Sequence, residues 1–121
     1  MAKLYRSKTE AETQRIKEDW GSLNWLADKS LNNSPDLTLG RVTIKKGHSS
    51  PRHSHPNCDE VLYLLKGQLK QVIGGQTFLM EPGDTAVAPA NVSHLTVNIG
   101  DEDADIILAY SSGERQFKEE K

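Results

Sequence analysis

The polarity pattern changes near residue 36. From Leu37 onward, short apolar runs alternate with polar positions, and Gly, Pro, Asn and Asp clusters interrupt them at close intervals. This is the texture of short strands joined by tight turns. The runs "EVLYLL", "QLKQVI" and "QTFLM" are separated by "KG" and "GG" and closed by "EPGD", which reads as a meander of hairpins. In "EPGD" proline takes the second position and glycine the third, as a type II turn demands. "TAVAPANVSHLTVNI", the loop "GDEDA" and "DIILAYSS" continue the series. In "LTLGRVTIKKG", Leu37 and Leu39 fall on one parity and Val42 and Ile44 on the other. The switch around Gly40 predicts a bulge there.

The first third reads differently. Residues 8–20, "KTEAETQRIKEDW", are good helix formers without an apolar stripe, so a short surface helix is expected, with Gly21 as its stop. "SLNWLADKSLNN" carries Leu23, Trp25, Leu26 and Leu31, expected to pack on the main body, and residues 32–35 are loop-like. The tail "GERQFKEEK" is polar and expected to fray. A chain of 121 residues has room for one domain. The expected organisation is an N-terminal arm over 1–36, an all-β barrel or jelly roll over 37–112, and a polar tail over 113–121.

Composition narrows the function classes. Fifteen basic against 17 acidic residues give a formal net charge of −2 and no basic footprint. Nucleic acid and anionic membrane are therefore not expected partners. The longest apolar runs are strand-sized, and the N-terminal stretch is too charged for a secretory signal. The single cysteine, Cys58, excludes an internal disulfide and fits a reducing compartment, so a cytoplasmic location is expected.

The chemistry concentrates in "PRHSHPNCDE", residues 51–60, which holds two of the four histidines. Gly47, His53, His55, Glu60 and Gly67 form one spaced set; Gly83, Pro89, Asn91, His94 and Asn98 form a second. These resemble the two sequence motifs of the cupin superfamily. The first matches at every fixed position, and the second departs once, with Asn91 where the family usually has glycine. Asn is the next best residue for a positive φ. The resemblance covers residues 37–110 and implies a cupin-type double-stranded β-helix or jelly-roll barrel. It also implies that His53, His55, Glu60 and His94 bind one divalent metal inside that barrel.

The residues agree with this on their own terms. Taken singly, each of the four is better read as an ordinary loop or strand residue; the joint spacing favours a metal. On a strand His53 and His55 share a face, while Glu60 has the opposite parity. Pro56 and Asn57 supply a break after which a new strand starts near Asp59. His94 comes from a distant strand, which a closed barrel brings across the cavity. Three imidazoles and a carboxylate suit Fe, Mn, Ni, Co, Zn or Cu about equally on ligand type.

Further candidates are weaker. Tyr63, Gln71 and Tyr110, with Arg41, lie on predicted strands and are candidates to reach the cavity, orient an anionic substrate or shuttle a proton. Packing at a barrel rim is the commoner role for such residues. Asn98 and Gln71 are candidates to support the ligands. Cys58 reads as a small buried hydrophobe, His48 as solvated, and Trp20 and Trp25 as packing anchors.

The function these readings support is a metal-dependent cupin enzyme acting on a small oxygenated organic molecule, with dioxygenase-like oxidoreductase chemistry slightly favoured. The alternatives are a cupin isomerase or epimerase, a lyase or decarboxylase on a sugar or keto acid, or a non-catalytic metabolite-binding module. Small cupins of this kind often pair, and the arm with its Trp and Leu residues points to a homodimer.

Overall fold

The computed structural model describes residues 3–120. A short helix α1 (Lys8–Thr13) is followed by strands β1 (Ile16–Glu18), β2 (Gly21–Ala27) and β3 (Thr38–Ile44). Next come β4 (His53–Ser54), β5 (Glu60–Lys66), β6 (Leu69–Ile73) and β7 (Gln76–Met80). β8 (Thr85–Ala88), β9 (His94–Asn98), β10 (Ala104–Tyr110) and β11 (Lys118–Glu119) complete the chain.

The strands form a six-stranded sheet in the order β1-β2-β3-β10-β5-β8 and a five-stranded sheet in the order β11-β4-β9-β6-β7. From β3 to β10 the chain passes back and forth between the two, as a jelly roll does. Side-chain alternation decides which face closes the barrel. On β10, Ala104, Ile106, Leu108 and Tyr110 are buried, and Val42, Ile44, Leu62, Leu64, Leu69 and Met80 meet them.

The hairpin reading holds for one pair of strands. β6 and β7 are joined by Gly74 and Gly75 with Ile73 opposite Gln76. β5 does not pair with β6 but lies between β10 and β8. The "KG" and "EPGD" turns thus carry the chain from one sheet to the other instead of folding it back. Gly67 has φ +101°, and a Cβ on it would stand 3.0 Å from Ala104 Cα, so a side chain is excluded twice over. In "EPGD" Gly83 has φ +95°, and Asp84 N donates to Glu81 O at 3.0 Å, as the turn chemistry requires.

Three expectations are corrected. The helix spans six residues, not thirteen: Ser7 caps it by accepting from Glu10 N, and the chain then enters β1 and β2. Pairing with β3 satisfies that backbone better than a helix lacking an apolar stripe. Gly21 starts a strand, and it is glycine because a Cβ would overlap Thr43 O at 1.8 Å. The parity switch at Gly40 is not a bulge in β3, where Thr38 through Ile44 alternate without interruption. The irregularity lies opposite, between Trp25 and Ala27 of β2, and Gly40 leaves the space the Trp25 ring occupies. Leu37 and Leu39 simply face outward.

The third correction concerns the tail. It is tied down: β11 pairs with β4, and the Asn57 amide donates to Glu114 O and accepts from Gln116 N, both at 2.8 Å.

Candidate metal centre

His53 sits on β4, His94 at the start of β9 directly opposite it, and Glu60 at the start of β5. His55 follows β4, with its carbonyl accepting from Asn91 N at 3.0 Å. Asn91 takes φ +67°, the conformation for which the family glycine would serve. All four side chains are buried, and one donor atom from each lies within 4.8 Å of the other three.

The three imidazoles are oriented alike. Nδ1 of His53 bonds Pro51 O at 2.7 Å, Nδ1 of His94 bonds Val92 O at 3.1 Å, and Nδ1 of His55 bonds Gln116 O at 2.8 Å. A carbonyl only accepts, so each Nδ1 carries the proton and each neutral ring presents a lone pair at Nε2. His55 Nε2 lies 3.4 Å from Glu60 Oε1, and His94 Nε2 lies 3.4 Å from Glu60 Oε2. Neither Nε2 has a hydrogen-bond partner among the described residues. A buried lone pair facing a carboxylate is costly, and a cation held by both satisfies the lone pair and the negative charge together. The donor set fits a divalent transition metal on this ground: His53, His55, Glu60 and His94 form a metal site.

The local field agrees. Burial pushes the His53 pKa down to about 4, with the neighbouring His94 adding to the effect, so this ring stays neutral and ready to ligate. Burial works to raise Glu60, but contacts from His55, His94 and Tyr110 outweigh it and hold the carboxyl well below the usual range. Burial works to lower His94, yet the Glu60 carboxylate beside it prevails and raises it in the metal-free protein.

Beside the metal residues opens a cavity of about 430 Å³. His53 and Glu60 form part of its wall, Leu62, Ile106 and Leu108 give it an apolar flank, and Ile16, Glu18, Phe117 and Glu119 line its more exposed part.

The weaker candidates separate cleanly. Tyr110 reaches the centre: its hydroxyl donates to Glu60 Oε1 at 2.7 Å. Gln71 is fully buried, accepts from Thr96 Oγ1 at 2.6 Å and leaves its Nε2 without a partner among the described residues. Tyr63 does not reach the cavity, because it shares the outer parity of β5 with Val61 and Leu65. Arg41 is likewise outside, paired with Asp105. Asn98 braces the loop beyond it through Ile44 O, Glu102 O and Gly100 N. Cys58 is buried in the core cluster, where desolvation pushes its thiol up.

Two site residues carry no signal in the polarity pattern. Phe117 stacks on His53 with ring centroids 4.8 Å apart, and Arg115 stands over Trp25. A lone aromatic and a lone arginine in a polar tail look like solvent-exposed residues until the tail is seen to pair with β4.

The sequence model of the cupin-domain family matches residues 40–110. Polyketide synthase CurC of Streptomyces cyaneus is 27% identical over 73 residues, covering 60% of this chain and 47% of that protein. Oxalate oxidase 1 of Hordeum vulgare is 26% identical over 88 residues, covering 66% of this chain and 44% of that protein. The chain spans less than half the length of either. Among solved structures, Bacillus subtilis oxalate decarboxylase, a protein with Mn(II) centres, superposes with a TM-score of 0.81 at 23% identity, over 87% of this chain and 29% of that one. That likeness shows a shared fold.

Proposed function

The chain belongs to the cupin family, and on that premise we propose that it is a metal-dependent enzyme acting on a small oxygenated organic molecule, with oxygen-dependent oxidoreductase chemistry. The observation that carries the reading is the buried His53–His55–Glu60–His94 set on the wall of a cavity large enough for a substrate. Four protein donors would leave a six-coordinate ion room for a substrate or oxygen, whereas they would close a four-coordinate structural zinc. Oxalate oxidase 1 among the relatives favours the redox branch.

A divalent transition metal held there supplies Lewis acidity and, as iron or manganese, a redox couple for oxygen. The chain's own residues do the rest. The carbonyls of Pro51, Val92 and Gln116 fix the tautomers of the three imidazoles. Tyr110 holds one oxygen of Glu60 and so sets the direction of the carboxylate. The apolar flank of Leu62, Ile106 and Leu108 keeps water sparse, which strengthens every polar contact a substrate makes.

The test is oxygen uptake by protein loaded with iron(II) or manganese(II), screened with catechols, thiols, diketones and oxalate. Metal-dependent uptake that vanishes in His55→Ala supports the reading. Carbon dioxide release without oxygen uptake reassigns the chain to decarboxylation, and turnover of nothing while metal stays bound makes it a binding module.

The exposed outer positions Val61, Tyr63, Leu65 and Val87 support a homodimer, which a monomer mass in light scattering would refute. The lone cysteine, Cys58, supports a cytoplasmic location.

A further inference from the structure

We infer that Arg115 is the group that docks the substrate, and that the substrate is a monocarboxylate with an apolar body at least the size of an aromatic ring. The inference rests on the cavity beside the metal residues being the substrate site.

Among the described residues that line the cavity, Arg115 is the only Lys or Arg. Its guanidinium carbon lies 4.3 Å from the Trp25 ring centroid, 5.3 Å from that of Tyr110 and 5.7 Å from that of Phe117. Three aromatic rings fix the cation in place but offer it no acceptor, and among the described residues it forms no ion pair or hydrogen bond. A half-buried planar fork of donors, seated among three rings on the cavity wall and without a protein acceptor among the described residues, is preorganised for a carboxylate. Its neighbour Glu114 turns away to Lys29, at 3.5 Å, so the adjacent acid does not neutralise it. Tyr110 touches both the cation and Glu60, and Arg115 lines the same cavity as His53 and Glu60, so an anion on Arg115 would share that cavity with the metal residues.

The rest of the cavity sets the body of the ligand. Leu23, Val42, Ile44, Leu62, Ile106 and Leu108 face the same space, and a two-carbon diacid would leave most of about 430 Å³ and nearly all of that apolar wall untouched. Glu18 and Glu119 line it as well and repel a second anionic group. One carboxylate with an apolar body satisfies all three features together.

The experiment is calorimetric titration of manganese-loaded wild type, Arg115→Gln and Arg115→Lys with phenylacetate, phenylacetamide and acetate, with metal content measured on the same samples. Wild type is expected to bind phenylacetate at least tenfold tighter than either the amide or acetate. Arg115→Gln should lose at least tenfold for phenylacetate and less than twofold for the amide, and Arg115→Lys should fall between. Chelator-treated wild type should keep its preference for acid over amide, which separates Arg115 from direct metal ligation and decides the matter even where Arg115→Gln does not fold. Equal binding of acid and amide by the metal-free protein overturns the docking role, as does full phenylacetate affinity in a metal-loaded Arg115→Gln. Equal binding of acetate and phenylacetate overturns the apolar body. Wild type that takes up no metal yet binds phenylacetate through Arg115 refutes the metal-enzyme reading and leaves this inference standing.

Discussion

Tyr110 and Glu60 are direct cross-strand partners in the β10–β5 register, and the Tyr110 hydroxyl donates to Glu60 Oε1 at 2.7 Å. Burial and the Glu60 charge push the Tyr110 hydroxyl far up, so it stays a donor. The bond fills one acceptor site of the carboxylate and fixes which oxygen edge faces His55 and His94. Tyr110→Phe keeps the ring packing and removes the donor. It should weaken metal binding by roughly tenfold and cost about 1.5–3 kcal/mol of stability in the metal-free protein, read by competitive chelation and urea unfolding.

Burial keeps His53 neutral in the metal-free protein. Its pKa of about 4 lies below the ordinary 6.5, and the groups facing it are His55, His94 and Glu60. The unfolded chain therefore binds more protons than the folded one between those values, and the His53 contribution to stability falls as pH drops through that window. His94 works oppositely, its raised pKa adding stability that is lost as pH rises through it. A nitrogen-detected NMR titration should show the His53 ring titrating near 4; a midpoint near 6.5 contradicts its desolvation.

Phe117 covers the face of His53, their planes 28° apart, although the phenylalanine itself is 50% exposed. Its removal should leave the barrel nearly as stable and open the ligand to solvent. Phe117→Ala is expected to release metal to a chelator roughly three- to tenfold faster, the worth of one stacked pair, with little change in melting temperature. An unchanged release rate removes Phe117 from any role at the centre.

Gly40 leaves space for a cavity wall. A Cβ there would stand 2.6 Å from the Trp25 ring, and that ring also carries Arg115. Gly40→Ala should destabilise the protein by roughly 1–3 kcal/mol in thermal unfolding, because the Trp25 ring occupies the space of the added methyl and Trp25 is paired directly opposite on β2. It should also shift the Trp fluorescence, since Trp25 has to move. Wild-type stability and fluorescence would contradict the tight fit.

The metal residues were legible because metal binding constrains residue type and spacing together, and those survive in a linear text. The glycine in "EPGD" was legible for the same reason, being a local requirement. Pairing is not local. Nothing in "EVLYLL" says that its neighbours are β10 and β8, or that the next strand lies in the other sheet. "KTEAETQRIKEDW" has the propensity of a helix throughout, and only the free edge of β3 makes a strand of its continuation. Tyr63 and Tyr110 read alike on predicted strands, and a parity set by the barrel separated them. The tail looked like solvent-exposed chain because its partners, Asn57 and β4, lie some sixty residues away.

Metal content tests the His53–His55–Glu60–His94 site most directly. Purified, untagged wild type and His94→Ala, handled anaerobically, reconstituted and desalted, would be analysed by plasma mass spectrometry beside their circular dichroism. One transition metal per wild-type chain and almost none in a folded His94→Ala protein is the predicted result. Wild-type stoichiometry in His94→Ala, or a wild type that takes up no metal from any of the ions offered, would contradict it.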